Sequence, residues 1–499
     1  MRRIFHSFHS TEIPFAAILL FGLLAMTARN AIDPDLWWHL RTGQWIVESH
    51  SIPHSDPFSF TRAGHAWISH EWLSDVIFYE LYKHAGTAAL IIFSAIITTI
   101  GFILLYLRCL PGGQKRYWAA AATALGALVS APSWGVRPQM FTFTLAGLLL
   151  LLIERGETRP KLLLWIPPLF LLWLNLHGGF ALGPALLIAY AAGVLFESVT
   201  GNTPWPEARP ILLRVLLILL ACLALVPVNP SGIHLYRYPF DTLTSPGMRS
   251  LIAEWRSPDF HSSLYRPLLL LWLLLLVALA VAGTRLKGRV IVPLLLTAFA
   301  ALDAARHIPI FVLVAIPVIA AALPVSPLTA SLRRPTSWRF RPAFGVFIVI
   351  LMAAFALAKW ITLARNQNVR EAQIFPQSAV DFLQTNSLSL NSARQSQKLF
   401  VYYDWGGYAI FHLYPGYRVF VDGRADLYGD DLMQQSIRTL IDLRTGWQDI
   451  LERWQVDAVL VPSSSALAQA LLLDNHWYAA FSDAQAIVFS PNPSNRPKY

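Results

Sequence analysis

Charge is scarce in this chain. Only 14% of its 499 residues are Asp, Glu, Lys or Arg, where a soluble protein carries about a quarter. Most of the chain therefore lacks the polar surface of an ordinary soluble domain. Cysteine is nearly absent. Of the two, Cys109 ends an apolar run among basic residues and Cys222 lies inside another, so neither a disulfide framework nor a thiolate metal site is suggested. The P-loop, the dinucleotide-binding glycine fingerprint, HExxH and GxSxG are all missing. No internal repeat is visible.

Apolar residues make up 55% of the chain, in runs such as "LLIAYAAGVLF", "LLRVLLILLACLALV" and "FGVFIVILMAAFALA" that recur through residue 361. This is the pattern of a polytopic membrane protein. The expected fold is mainly α: a bundle of about eleven spans in residues 1–361, with a long first outer loop at 29–85, then a soluble α/β domain at 362–499. Spans are expected at 13–28, 86–107, 117–131, 140–153, 162–175, 180–196, 210–228, 267–283, 290–303, 308–323 and 343–361. The N-terminal segment has the parts of a signal peptide; we read it as a retained first span that anchors the loop behind it.

The net charge of +10 is dealt out between spans and not pooled on one face. Arg2/Arg3, Arg108/Lys115/Arg116, Arg155/Arg159/Lys161, Arg209/Arg214, Arg285/Lys287/Arg289 and Arg333/Arg334/Arg339/Arg341 form small basic groups. The positive-inside rule produces this spacing, and it speaks against a nucleic-acid partner. Placing each group in the cytoplasm puts the N-terminus inside and the C-terminal domain outside, in a cell (inner) membrane. The outer loops then hold the acids, histidines and tryptophans. Nucleotide donors are scarce on that side, so an outward-facing enzyme needs a substrate already activated on a lipid.

The first outer loop opens with "DPDLWWHLRTGQWIVES", whose apolar spacing predicts an interfacial amphipathic helix. A Pro/Ser turn region, "SIPHSDPFSFTRAG", follows, and then a second helix from "SHEWLSD". The tail alternates strands at "KLFVYY", "YRVFVDG", "VDAVLVP", "WYAAFSD" and "AIVFS" with helices at "PQSAVDFLQTNS", "DLMQQSIRTLIDL", "WQDILERW" and "SALAQALLLD".

Several residues invite a chemical role. Asp33 and Asp35 suit helix capping and equally suit a general base at the membrane face; on local chemistry the two readings stand level. His39, His70 and Glu71 offer imidazole and oxygen ligands for a divalent metal, while Glu71 also suits the first turn of a helix. Arg137, His177, Arg237 and Arg306 are basic groups on the outer side. They fit a lipid phosphate, which pairs with guanidinium in a fork, or snorkelling to headgroups. Arg306 stands out, in a very short turn beside Asp303. Gly178 and Gly179 permit close backbone approach to a ligand.

A first span, then an acid, an aromatic-rich helix and a break about fifteen residues on resembles the GT-C superfamily of integral-membrane glycosyltransferases. That superfamily includes oligosaccharyltransferase catalytic subunits, protein O-mannosyltransferases and lipid A aminoarabinose transferases. "DLWWHLRTG", "DPFSFT" and "HEWL" look closest to its RgtA/B/C/D-like branch. The resemblance implies that Asp35, fifteen residues before His50, is the catalytic acid and Asp33 the cap. It also implies a second acid, at Glu71, near the lipid phosphate or a metal. The loop "SAPSWGVRPQM" lacks the acidic pair that oligosaccharyltransferases carry after their third span, a departure that weighs against a tightly bound metal. "YYDWG" at 402–406 is similar to the "WWDYG" of those enzymes with its aromatics permuted. Asp404, Trp405 and Asp422 are then expected at the acceptor, without peptide specificity; a strand-to-helix corner capped by Asp404 is the plainer reading.

The sequence as a whole reads as a glycosyltransferase. It would move a sugar from a polyprenyl-phosphate donor to a cell-envelope glycan, lipid or protein on the outer face, among membrane lipids. The alternatives are a flippase for lipid-linked substrates and a non-catalytic scaffold. Spans nearly clean of charge argue against the flippase, because ion-coupled transport needs ionisable groups at mid-depth.

Overall fold

The structure is a computed structural model that describes residues 12–110, 116–282, 286–322, 342–389 and 396–492. Among the basic residues named above, Arg2, Arg3, Lys115, Arg285, Arg333, Arg334, Arg339 and Arg341 lie outside the described residues. The chain forms two compact units. The first comprises Met1–Asn30, Ala88–Asn229 and Glu254–Arg365; the second comprises Ala31–Thr87, Pro230–Ala253 and Asn366–Tyr499.

The first unit is a helix bundle. A helix stands at each of the eleven expected spans. Among the described residues, seven helices are long and apolar enough to cross a membrane, and Phe15–Thr27 and Pro160–Leu176 are shorter apolar helices. Arg116–Ser130 and Gly288–Asp303 complete the set. Ile308–Ala322 is apolar on every side and buried along nearly its whole length, as expected of a central helix. It packs against Arg116–Ser130, Arg266–Ala282 and Gly288–Asp303.

Leu182–Val199 and Gly288–Asp303 cross closely: a Cβ on Gly193 would come within 2.4 Å of the Gly288 carbonyl oxygen. Beside that crossing Arg289 binds the buried Glu197, Nη2 to Oε2 at 2.6 Å, and reaches Glu157 at 3.1 Å. Glu197 sits at the C-terminal end of one helix and Arg289 at the N-terminal end of the other. This ion pair therefore marks one end of the pair, and the loops after Asp303 and before Leu182 lie a helix length away, roughly 25 Å.

The second unit is built on a five-stranded sheet, order β2-β1-β3-β5-β4. Its strands are β1 (Gln397–Val401), β2 (Tyr417–Val419), β3 (Ala458–Pro462), β4 (Trp477–Ser482) and β5 (Ala486–Pro491). β1 runs parallel to β2 and β3, while β5 is antiparallel to β3 and β4. The strands and helices expected of the tail are present, with one more helix, Gly406–Leu413.

The first loop is part of this unit. Ser59 bridges to Val419, with Phe60 N–H donating to the Val419 carbonyl and Val419 N–H to that of Phe58. The expected turn region thus extends the edge at β2. Leu36–Ser49 is a helix, as its spacing predicts, and its apolar face meets protein. Trp37 is 1% exposed and packs against the rings of Phe375, Tyr408 and Phe411, and Trp38 is buried too. A protein core covers the face that the apolar spacing assigns to lipid. The Trp72–Arg108 helix is broken by non-helical Ala85 and Gly86, so its first segment belongs to the second unit and the rest to the first.

Candidate active site

Asp33 and Asp35 divide the work at the start of the Leu36–Ser49 helix. The Asp33 carboxylate accepts the backbone N–H of Asp35 at 3.0 Å. Asp35 occupies the cap position, yet its side chain makes no capping bond. Its Oδ1 accepts the indole N–H of Trp38 at 3.2 Å. The strand-end glycine of "VDGR" leaves room for it: a Cβ on Gly423 would lie 1.7 Å from Asp35 Oδ1. "YYDWGG" approaches from another side, where a Cβ on Gly407 would meet the Pro34 carbonyl at 2.6 Å. Burial and the carboxylates of Asp35, Asp422, Asp404 and Asp426 drive the Tyr403 phenol well above its ordinary pKa. Three separate stretches of sequence thus converge around one tyrosine.

One helical turn beyond Asp35, a chain of acids and imidazoles begins. His39 Nδ1 donates to Asp75 Oδ1 at 2.6 Å, and its Nε2 lies 3.4 Å from Glu71 Oε2. The other Glu71 oxygen is 3.2 Å from His70 Nε2, which also meets the Tyr238 hydroxyl at 2.9 Å. Burial works against charge on both imidazoles, but Asp75 overrides it at His39, with Glu71 and Asp35 adding to the effect. At His70 the neighbouring Glu71 carboxylate does the same and lifts the pKa to about 9. Among the described residues, no group of three His, Cys, Asp or Glu side chains is arranged to hold a metal ion. The three side chains that the sequence offered as metal ligands, His39, His70 and Glu71, are thus paired with one another and with Asp75.

Asp422 is tied into a buried network. Arg424 grips it through Nε and Nη2 at 2.8 and 2.7 Å, Tyr428 donates to it, and Arg424 Nη1 reaches Asp56 at 2.8 Å. Asp422 is 0% exposed, so its carboxylate has no open face for an acceptor. Trp405 is also buried and donates to the Ile374 carbonyl at 2.9 Å. Asp404 is exposed. The Arg237 side chain is 82% exposed and paired with Asp241 at 2.9 Å.

In the first unit a different group forms from four loops. Arg137 donates to Glu254 Oε2 at 2.8 Å, and Arg306 lies 3.6 Å from Oε1 with its guanidinium 4.1 Å above the Trp255 ring. His177 Nδ1 accepts the Gly179 N–H at 2.9 Å and contacts the Thr142 hydroxyl at 2.7 Å. A Cβ on Gly179 would lie 2.5 Å from that hydroxyl, so the close approach expected of this glycine is to Thr142. Arg137, His177 and Arg306 fall at the helix ends remote from the Arg289–Glu197 pair.

No protein-family model matches this chain, and no curated protein matches it. Among solved structures, the archaeal oligosaccharyltransferase AglB from Archaeoglobus fulgidus, in complex with an inhibitory peptide and a dolichol-phosphate, aligns at TM-score 0.61. That alignment has 12% identity over 98% of this chain and 75% of that one. The chain shares the fold of that oligosaccharyltransferase. ArnT from Cupriavidus metallidurans, bound to undecaprenyl phosphate, aligns at TM-score 0.48 with 13% identity over 96% of this chain and 97% of that one. Its apo state aligns at 0.48 with 15% identity.

Of the side chains that these groups bring together, sequence reading had pointed to Asp35, Glu71, His39, His70, Arg137, His177 and Arg306. It passed over Asp75, Tyr238, Tyr403, Arg424 and Glu254. Asp75 is legible as an acid one helical turn after Glu71. Tyr238 and Glu254 come from distant loops, and no spacing points to them.

Proposed function

We propose that the chain is a membrane glycosyltransferase that moves a sugar from a polyprenyl-phosphate-linked donor to a cell-envelope glycan, lipid or protein. Asp35 is the general base. It takes the proton of the acceptor hydroxyl or amide as that atom attacks the anomeric carbon, and the sugar–phosphate bond breaks with its electron pair going to the lipid phosphate. Arg137, Arg306 and His177 hold the phosphate. Glu71 orders His39 and His70 beside Asp35, and Asp404 meets the acceptor. The N-terminus lies in the cytoplasm of a cell (inner) membrane, and residues 362–499 lie outside it.

The observation that carries this reading is the division of labour at the start of the Leu36–Ser49 helix. Asp33 already accepts the backbone N–H there, and the Asp35 carboxylate, which makes no cap, is aimed by an indole N–H. A neighbour of the same fold bound to dolichol-phosphate supports the choice of donor class.

Replacing Asp35 by Asn keeps its size and much of its hydrogen bonding. Transfer from a lipid-linked sugar should then fall by about 10²–10⁴ with folding intact, whereas Asp33→Asn should cost little activity. Both variants are to be assayed with the same donor. Near-native transfer by Asp35→Asn would remove the base and most of the case for an enzyme.

A further inference from the structure

Glu254 has no part in the reaction as proposed, yet two cations from other loops close around it. Its carboxylate faces Arg137 Nη2 at 2.8 Å and Arg306 Nη1 at 3.6 Å. Burial alone would raise its pKa, but the two guanidiniums, with His177 behind them, hold it down to about 2. The two guanidiniums thus favour the charged form of Glu254.

Arg306 has a second contact beside this carboxylate, because its guanidinium lies on the Trp255 ring, an arrangement that suits Arg. The side chains also remain open to solvent, at 18% for Arg137, 22% for Arg306 and 29% for Glu254. Two guanidiniums and one carboxylate leave a net positive charge. A phosphate brings more negative charge and more acceptor oxygens to the same two forks.

We infer that Glu254 is a built-in counter-ion that occupies the phosphate position between Arg137 and Arg306 and yields it when the phosphate of a lipid-linked ligand arrives. This rests on the phosphate role proposed above for the arginine pair. While the position is held by Glu254, the two guanidiniums are spared mutual repulsion. Once the ligand is in place, the displaced carboxylate competes for the pair and hastens release of the spent lipid phosphate. The cost appears as weaker binding.

The test is equilibrium binding of undecaprenyl phosphate to the purified full-length chain, with inorganic phosphate and uncharged undecaprenol as parallel probes. Glu254→Gln should bind undecaprenyl phosphate about tenfold more tightly, the scale of one charge-assisted contact. Glu254→Asp, with its carboxylate drawn back by one methylene, should fall between, and it carries the test if the Gln variant fails to accumulate. A gain for inorganic phosphate too supports displacement of one anion by another, as does a gain confined to the lipid phosphate. An equal gain for undecaprenol overturns the inference, since charge would then not be the cause. Unchanged or weaker phosphate binding by Glu254→Gln overturns it as well, and makes Glu254 a brace for the arginines. Arg306→Ala separates the two levels. If it leaves undecaprenyl phosphate binding unaltered, the phosphate role itself fails; if it weakens binding while Glu254→Gln does not tighten it, only the counter-ion role fails.

Discussion

Gly423 stands where any side chain would strike the Asp35 carboxylate, at 1.7 Å from Oδ1. Gly423→Ala must push that carboxylate aside or open the turn that follows Asp422. A displacement of about 1 Å at a reacting group costs on the order of a hundredfold in rate, so transfer by Gly423→Ala should drop about that far. Steady-state kinetics should show the loss in kcat, with KM for the donor little changed. If Asp35 is not the base, the same variant loses stability and keeps its activity per folded molecule. This residue shows where sequence reading stops. "VDGR" is legible as a strand ending in a turn, but the reason its third residue has no side chain lies about 390 positions upstream. Asp33 and Asp35 were separable only through resemblance, because both suit a helix start; in the structure Asp35 takes the cap position without a side-chain capping bond, and Asp33 Oδ1 accepts the Asp35 N–H.

At the scale of elements, Arg424 joins the sheet of the second unit to the first loop, binding Asp422 at the end of one and Asp56 in the other. Removing one member of such a buried group leaves the others as uncompensated charges, at a cost of about 3–5 kcal/mol. Arg424→Ala should therefore destabilise the second unit by about that amount in chemical unfolding, and Asp56→Asn by less, because an amide still accepts from the guanidinium. Most elements were legible beforehand, and for a simple reason. The spans and strands are marked by periodic apolar residues, and helices stand wherever such runs predict spans. The environment of an amphipathic helix is not so marked. Leu36–Ser49 carries the apolar spacing of an interfacial helix, and the same spacing serves to bury Trp37 against Phe375 and Tyr408. Lipid and a protein core make the same demand on one face of a helix, so periodicity alone does not distinguish them.

For the whole molecule, the loops sort to two ends of the helix bundle. Arg289, Glu197 and Glu157 meet at one, and Arg137, Arg306 and Glu254 at the other. With the basic groups in the cytoplasm, reporter fusions after Gly156 and Lys287 should read as cytoplasmic, and fusions after Gly64 and at the C-terminus as external. A cytoplasmic C-terminus would reverse the proposed orientation. The second unit draws on three separated stretches, 31–87, 230–253 and 366–499, and this bears on the order of events during synthesis. The first stretch leaves the ribosome about 310 residues ahead of β1, an interval of roughly 15–60 s at ordinary elongation rates. For that time Trp37 has no aromatic partners, Asp56 has no arginine and Phe58 has no strand to pair with. The segment that bears the proposed base is thus made among the first and gains its partners among the last, so an unfinished chain carries Asp35 without the structure that aims it.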